Sequence, residues 1–439
     1  MYALINAKIY DYDKYINNGF IVFDKAIKSI GKMTDYKKDI SYKEIDCNNK
    51  LIIPGFVSGH THFYSTFARG ASFEFDPDNF LDILKQMWWK LDHFLDKDMI
   101  YYSALMGGID QLKKGTTSLI DHHASYQVIN SLNTIKSAIN DKLKLRSVLA
   151  FETSDRFDVK KAIDENISFI KNNQAKNSTG LFGMHASLSL SNNTLVEIAK
   201  NIDGAGIHIH VAESLMDEQD CIEKYGMRVV ERLDKYSLIN ERSLLVHCTH
   251  INETEMDIIK SRKATIAINP TSNLNNAVGI SNVRKFLDKG IRVIIGNDGL
   301  IQSQAFEYLN AYYLGHLKTK SPIGFGLNDL KRIIRNTYDY INMLLKTNLG
   351  SFSKGSEADL LVIPYEPYTK INSDNVFGHL FYGVFPGFLP EKVFANGKCL
   401  ISNYKLKQDF TNERNIALKQ ANKLWKKIKK EGNNLEFKN

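Results

Sequence analysis

Cysteine, proline and long apolar runs are scarce in this sequence of 439 residues. Its four cysteines are Cys47, Cys221, Cys248 and Cys399, and their wide spacing argues against a disulfide framework and a cysteine-built zinc site. No apolar run is long enough to span a bilayer, and the N-terminal segment lacks the basic and apolar regions of a signal peptide. We therefore expect a cytoplasmic protein with no membrane partner.

The excess of positive charge is also small for a chain of this length. Lysine and arginine number 57 against 49 aspartate and glutamate residues, which leaves a net charge of +8. The surplus forms no basic stripe with interleaved aromatic residues, so the pattern argues against nucleic acid as a partner. We expect a small-molecule partner in an ordinary globular protein, and the sequence leaves a homodimer open.

Short apolar runs alternate with long helical patterns through the middle of the chain. Each run is bounded as a buried parallel strand should be. The runs cover residues 51–62, 116–123, 145–153, 180–187, 206–213, 243–250, 264–273 and 292–299. Eight strand–helix units predict an α/β fold, the (β/α)₈ barrel of the TIM type, with an open doubly wound sheet as the alternative.

Both ends of the chain show short alternating strands instead. Turns are expected at Asn18-Gly19 and at Asn396-Gly397, because Asn-Gly is typical of tight hairpins. We expect the two ends to build one small β domain. The predicted domains are residues 1–53 for its first part, 54–354 for the barrel, and 355–439 for its second part with a terminal helix.

Side chains that can bind a metal stand at the C-terminal ends of the proposed strands. The first strand ends in His60-Thr61-His62, and two residues that are two apart lie on the same side of a strand. The fifth strand ends in HIHVAE and the eighth in Asn297-Asp298-Gly299. An unpaired buried carboxylate costs several kcal/mol. One divalent metal is the most economical partner for Asp298 and the histidines.

These motifs, in this order, resemble the amidohydrolase superfamily, in the branch of cytosine, guanine, adenosine-type and chlorotriazine hydrolases. The matching segments are PGFVSGHTH, the HxxE motif at His210–Glu213, VHC around His247, NPTSNLNNAVG at 269–279 and GNDG around Asp298. Within that branch the chain is most similar to the SsnA-type aminohydrolases associated with selenium metabolism, through KQMWWKLD, FETSDR and the terminal helix. The resemblance covers essentially the whole chain.

The resemblance implies a mononuclear metal site, because the carboxylated lysine of dinuclear members has no counterpart in GMHASLSL. Zinc is favoured and iron is the alternative. The implied ligands are His60, His62, His210 and Asp298. The implied catalytic residues are Asp298, which takes a proton from water, Glu213, which delivers one to the leaving nitrogen, and His247, which polarises the attacked group. His208 is read as structural support.

Five further residues are candidates for substrate contact, and each has a structural alternative. They are His185, His123, Arg156, Asn273 and Trp88. His185 ends the fourth strand, where it either contacts the substrate or is a hydrogen-bonded core histidine. Only one of His122 and His123 can face the pocket, since neighbouring side chains in a strand alternate.

The other three candidates lie on loops and helices. Arg156 either clamps a substrate bidentately or pairs with Glu152 or Asp155. Asn273 either reads a substrate edge or fixes a turn, and Trp88 either covers a planar substrate or packs in the core.

The predicted function is hydrolysis of a non-peptide C–N bond, in particular deamination of an N-heterocycle such as a purine- or pterin-like ring. A cyclic-amide hydrolase that opens its ring without releasing ammonia is the first alternative. A non-catalytic barrel scaffold is the second, and the complete set of ligands argues against it.

Overall fold

The computed structural model describes residues 1–435 and 437, in which a β/α region lies between two groups of short strands. The strands are β1 Tyr2–Tyr10, β2 Tyr15–Phe23, β3 Ile27–Lys32, β4 Lys43–Asp46, β5 Leu51–Pro54, β6 Phe56–Thr61, β7 Thr116–His123, β8 Arg146–Phe151, β9 Ser178–Gly180, β10 Phe182–Ala186, β11 Ile207–Val211, β12 Leu244–His247, β13 Thr265–Ile268, β14 Arg292–Ile295, β15 Leu360–Ile363, β16 Lys392–Ala395, β17 Lys398–Ser402 and β18 Lys405–Leu406. The α-helices are α1 Phe80–Ile83, α2 Trp89–His93, α3 Lys97–Lys113, α4 Ser131–Lys136, α5 Val159–Asn172, α6 Asn192–Asn201, α7 Leu215–Tyr225, α8 Val229–Lys235, α9 Glu253–Ser261, α10 Pro270–Asn275, α11 Val283–Asp288, α12 Gln304–Thr319, α13 Leu327–Leu345, α14 Val376–His379 and α15 Thr411–Glu431.

The middle of the chain forms a parallel barrel from two sheets, β6-β7-β8-β9 and β10-β11-β12-β13-β14. Only Leu181 separates β9 from β10, so these two short pieces act as one strand of an eight-stranded ring. Isolated bridges join the sheets at both seams, Thr153 with Met184 and Thr61 with Asp298. The predicted (β/α)₈ barrel is confirmed, and each predicted apolar run contains a barrel strand.

Strands from both ends of the chain share one nine-stranded sheet, of order β18-β17-β16-β15-β5-β1-β2-β3 with β4 also paired to β1. The two ends meet where β5 runs antiparallel to β15. The predicted small β domain is therefore confirmed, whereas its boundaries at residues 54 and 355 stay a prediction.

One of the two expected Asn-Gly turns is present. Asn396 and Gly397 connect β16 to β17 with φ of 50° and 70°. The turn at Asn18-Gly19 is wrong, because Gly19 lies inside β2, where a Cβ would stand 2.8 Å from the carbonyl oxygen of Gly31. Glycine at that position permits close approach of β2 and β3 rather than a turn.

The terminal helix α15 packs against α3 beside the loop that follows β6. Leu424 and Ile428 are buried, and Trp425 Nε1 donates to the carbonyl oxygen of Phe67 at 2.7 Å. This contact supports the segment directly after the His60-Thr61-His62 motif. Among the described residues, no helix has both the length and the apolar character that crossing a bilayer requires.

Candidate metal centre

The four predicted metal ligands converge at the C-terminal mouth of the barrel. His62 Nε2 lies 3.1 Å from His210 Nε2 and 3.3 Å from Asp298 Oδ1, and His60 Nε2 lies 3.8 Å from the same oxygen. Ligand atoms about 2.0–2.1 Å from a tetrahedral ion are roughly 3.3 Å apart. In the part of the chain that the structure describes, the buried Nε2 of His60 has no hydrogen-bond partner. The donors therefore fit one divalent metal.

Hydrogen bonds on the far side of each ring aim the Nε2 atoms at this centre. His62 Nδ1 donates to the carbonyl oxygen of His122 at 2.6 Å, and His210 Nδ1 donates to that of His185 at 2.9 Å. His60 Nδ1 shares a hydrogen bond of 2.9 Å with His208 Nε2, which supports the structural role expected for His208. Such outer partners fix the tautomer and orientation of metal-binding histidines.

Burial keeps these imidazoles neutral, which is the form that binds a metal. Desolvation, followed by the neighbouring rings, lowers the pKa of His60 well below its ordinary value, and desolvation also lowers the pKa of His62. The same causes lower the pKa of His210 to about 3. Burial disfavours the charged form of Asp298, but the nearby imidazoles outweigh it and lower the pKa of that carboxyl.

The three predicted catalytic residues form one group beside the ligands. His247 Nε2 lies 3.3 Å from Glu213 Oε2 and 3.6 Å from Asp298 Oδ2. Asn276 donates to Glu213 Oε1 at 3.2 Å, and burial raises the pKa of Glu213 although His247 partly opposes the shift. A buried carboxyl with a raised pKa can hold and release a proton near neutral pH.

Two residues of this group have left-handed backbone conformations. His247 has φ of 68° and Asp298 has φ of 53°. A residue with a side chain pays about 1–3 kcal/mol for such a conformation, and these residues cluster at functional sites. His247 ends β12, Asp298 lies in the loop after β14, and both side chains face the centre of the mouth.

Three of the five candidate substrate residues line the cavity above the centre, which His62 and Glu213 also line. They are Trp88, Arg156 and His185. His185 Nδ1 shares a hydrogen bond of 2.7 Å with the hydroxyl of Ser189.

Arg156 is held in place by a different partner from the two considered. Its guanidinium bonds both carboxylate oxygens of Asp92, at 2.8 and 3.3 Å, and stands 4.7 Å above the ring of Trp89. Neither Glu152 nor Asp155 is the partner. Arg156 therefore forms part of the cavity wall with its bidentate face already occupied.

The other two candidates, His123 and Asn273, are outside the cavity lining. His123 Nε2 shares a hydrogen bond of 2.9 Å with the hydroxyl of Ser125, so its ring points away from the centre. His122 is the inward neighbour, and its ring stacks against that of His210 with centroids 5.0 Å apart. Asn273 Oδ1 instead accepts from His247 Nδ1 at 2.8 Å and orients that ring.

Glu152 also lines the cavity, although the sequence suggested only a pairing with Arg156. It directly follows β8 at the C-terminal end of a barrel strand, the same positional signal that pointed to the other site residues.

Comparison with known proteins identifies the group to which this architecture belongs. The model of the amidohydrolase family matches residues 51–400. The chain belongs to the amidohydrolase family. As a member of it, this amidohydrolase is a hydrolase of carbon–nitrogen bonds other than peptide bonds, as the sequence predicted.

Curated relatives align with this amidohydrolase along most of their length. The 5'-deoxyadenosine deaminase of Methanococcus maripaludis (strain DSM 14266) is 29% identical over 405 residues, 88% of this chain and 91% of that protein. The 5-methylthioadenosine/S-adenosylhomocysteine deaminase of Thermococcus sibiricus is 26% identical over 406 residues, 88% of this chain and 93% of that protein.

Solved structures share the fold at lower sequence identity. An adenosine deaminase from Xanthomonas campestris with bound zinc has a TM-score of 0.82 at 17% identity, with 96% of this chain and 98% of that chain covered. The guanine deaminase of E. coli has a TM-score of 0.75 at 18% identity, with 91% and 98% covered.

Proposed function

We propose that this amidohydrolase deaminates a purine-like N-heterocycle at a single divalent metal, with zinc as the favoured ion and iron as the alternative. The group of Glu213, His247 and Asp298 beside three neutral imidazoles carries the proposal, because it joins a metal site to an acid and a base. The names of the two curated relatives, both deaminases of adenosine derivatives, support the substrate class. The zinc in the Xanthomonas campestris structure supports the choice of ion.

The ligand set assigns the chemistry of the ion. A divalent metal held by His60, His62, His210 and Asp298 would supply hydroxide near neutral pH, because it lowers the pKa of water to about 7. Asp298 has a second carboxylate oxygen 3.6 Å from His247 Nε2, and with it takes the proton from the attacking water.

Glu213 and His247 then act on the two atoms that gain charge. Glu213 carries a proton to the departing nitrogen, which is a poor leaving group when anionic, and such proton transfer contributes about 10²–10⁴-fold. His247 Nδ1 donates to Asn273, which turns Nε2 of the same ring towards the centre. This Nε2, 3.3 Å from Glu213 Oε2 and 3.6 Å from Asp298 Oδ2, would stabilise negative charge that develops on the ring under attack.

The cavity wall suits a flat substrate. Trp88 and Trp89 present aromatic surface, and His185 and the Arg156–Asp92 pair add polar groups at the edge. The finer likeness to SsnA-type aminohydrolases, the cytoplasmic location and the homodimer remain predictions from the sequence.

An ammonia-release screen over purines, pyrimidines, pterins and cyclic amides tests the proposal. We expect release from a purine-like ring, an activity reduced in Glu213→Gln, and full activity in the exposed control Glu197→Gln. Ring opening without ammonia would favour the cyclic-amide alternative. Full ammonia release by Glu213→Gln would contradict the proton-shuttle role.

A further inference from the structure

A second cavity, the side cavity, adjoins the catalytic cavity. The two share the wall residues Trp89, Arg156 and Leu188. The catalytic cavity has a volume of about 60 Å³ and the side cavity one of about 560 Å³, within the range of about 300–1,000 Å³ that ligand pockets usually have. Most of the open volume near the metal centre therefore lies beyond these three residues, and the proposed deamination does not use it.

The cationic side chains that line the side cavity are already paired. Lys224 Nζ lies 2.8 Å from Asp220 Oδ1, and the guanidinium of Arg156 is bound to Asp92 at 2.8 Å. Lys224 and Arg156 are the two cationic side chains of the described lining. A negatively charged group would find no free cation there, so the side cavity favours an uncharged group.

Phe437, which is distant in sequence from the barrel, forms part of the lining of the side cavity. Its half-buried ring packs edge-on against that of Trp89, with centroids 5.6 Å apart. Trp89 is 2% exposed, and the guanidinium of Arg156 stands 4.7 Å above its ring. Phe437 therefore contacts the wall that separates the two cavities, although it lines only the side cavity.

The terminal helix α15 brings Phe437 to this position. Trp425 Nε1 on that helix donates to the carbonyl oxygen of Phe67 at 2.7 Å. Further along, Lys90 Nζ donates to Asn433 Oδ1 at 2.9 Å. Lys90 is the neighbour of Trp89 on α2, so the end of the chain is fixed to the helix that carries the aromatic wall.

We propose that Phe437 is a specificity-determining residue, which closes the side cavity behind the group that the substrate ring carries. The ring is bound beside the metal centre, and its uncharged substituent extends past Trp89 into the side cavity, where Phe437 limits its length. A smaller side chain at this position enlarges the side cavity and leaves the space for the ring unchanged. The proposal rests on the proposed function for the position of the ring.

A series of adenines with substituents of graded length tests this role in Phe437→Ala and Phe437→Trp. The series is adenine itself and adenines with an ethyl, butyl or octyl group on N9. We expect KM for the octyl compound to fall about 10-fold in Phe437→Ala, as added space for one methylene can give, and to rise in Phe437→Trp. The kcat and KM for adenine should change little, because it has no substituent.

A matched control and a charged analogue sharpen the test. Leu418→Ala shortens an apolar side chain that is 62% exposed on the same helix, and it should keep the wild-type profile. An adenine with a carboxyethyl group on N9 should bind the wild type more weakly than the butyl compound, as measured by calorimetric titration. Tighter binding of the carboxylate would overturn the preference for an uncharged group.

The outcomes separate this proposal from the proposed function. Deamination with equal KM changes across the series, adenine included, would make Phe437 a residue of the fold and overturn its role in specificity. An unchanged profile in both Phe437 variants would overturn it as well. If calorimetric titration shows tighter binding of the octyl compound in Phe437→Ala but no ammonia is released, the role of Phe437 stands and the deamination is refuted. Failure of every member to bind would overturn both.

Discussion

The two ends of the barrel differ in how their buried cationic and imidazole groups are bound. At the base, the terminal nitrogens of Arg146 are bound by Asp359 at 2.5 Å and by Glu357 at 3.1 Å, its Nε has no partner among the described residues, and its side chain is 1% exposed. At the mouth, within the described residues, Nε2 of His60 and both ring nitrogens of His122 are buried without a hydrogen-bond partner.

This difference separates groups that hold the fold from groups that await a ligand. Most buried polar atoms in native proteins are paired, because an unpaired one lowers stability. Arg146 begins β8 and Asp359 directly precedes β15, so their ion pair joins the barrel to the small sheet. The unpaired Nε2 of His60 at the mouth is explained by the divalent ion of the proposed function, which this atom would bind.

We expect substitution at the mouth of the barrel to have the largest effect on activity. Asp298→Asn removes both an anionic ligand and the proposed base, so we expect ammonia release to fall on the order of 10⁴-fold, the upper end for an acid–base residue. Bound metal should fall with it, as measured by elemental analysis. The exposed control Asp288→Asn should retain both. Full metal content and full activity in Asp298→Asn would show that the centre lies elsewhere.

At the base of the barrel, we expect substitution to lower the stability of the protein rather than its activity. Arg146→Met leaves the carboxylate of Asp359 buried and uncompensated, which costs about 3–5 kcal/mol of unfolding free energy. Urea unfolding measures this loss, and activity per folded molecule should be unchanged. Arg262→Met breaks an exposed pair with Asp234 and should cost about 0–1 kcal/mol. Equal losses in the two variants would remove the structural role assigned to the base.

Metal removal has a smaller expected effect, confined to the mouth. An ion at 100 times its Kd stabilises the folded state by about 2.7 kcal/mol, so a chelator should lower the Tm. The same drop is expected in Arg146→Met, because effects at distant sites add. His60→Ala should show little drop, since it has lost a ligand. A full drop in His60→Ala would place the stabilising ion outside the proposed centre.

The sequence predicted those parts of the molecule that depend on local period and position. The alternation of a strand was enough to place His60 and His62 on one side, and the ends of the apolar runs located His210 and Asp298. Each of these residues lies at the C-terminal end of a barrel strand or in the loop that follows it, so the common mouth followed from the fold class.

Features that depend on distant pairing could not be predicted in this way. Asp92, the partner of Arg156, lies 64 residues upstream on α2, and nothing local distinguishes it from Asp155. The choice between His122 and His123 depends on how β7 is turned against β6 and β8. Gly19 was expected in a turn because the local sequence shows only the Asn-Gly pair. The reason for glycine there is the close approach of β3, which is a separate strand.

The smallest effect concerns Glu307, a buried carboxyl on α12 behind the mouth. Its Oε2 accepts from Thr271 N at 3.0 Å, whereas Oε1 has no partner in the described part of the chain. Burial raises the pKa of Glu307 to about 8, against an unfolded value of about 4.3. Between these values the folded state holds a proton that the unfolded state has lost, so the stability that this group contributes is lost as pH rises.

Glu307→Gln should remove this loss. Urea unfolding at pH 5.5 and pH 8.5 should show a smaller decrease in unfolding free energy for the variant than for the wild type. The exposed control Glu197→Gln should match the wild type. An unchanged decrease in Glu307→Gln would mean that this carboxyl is ionised in the folded state. An ionised Glu307 would need a partner for its charge, as Arg146 has in Asp359, and Glu307 would then resemble the paired charged groups at the base.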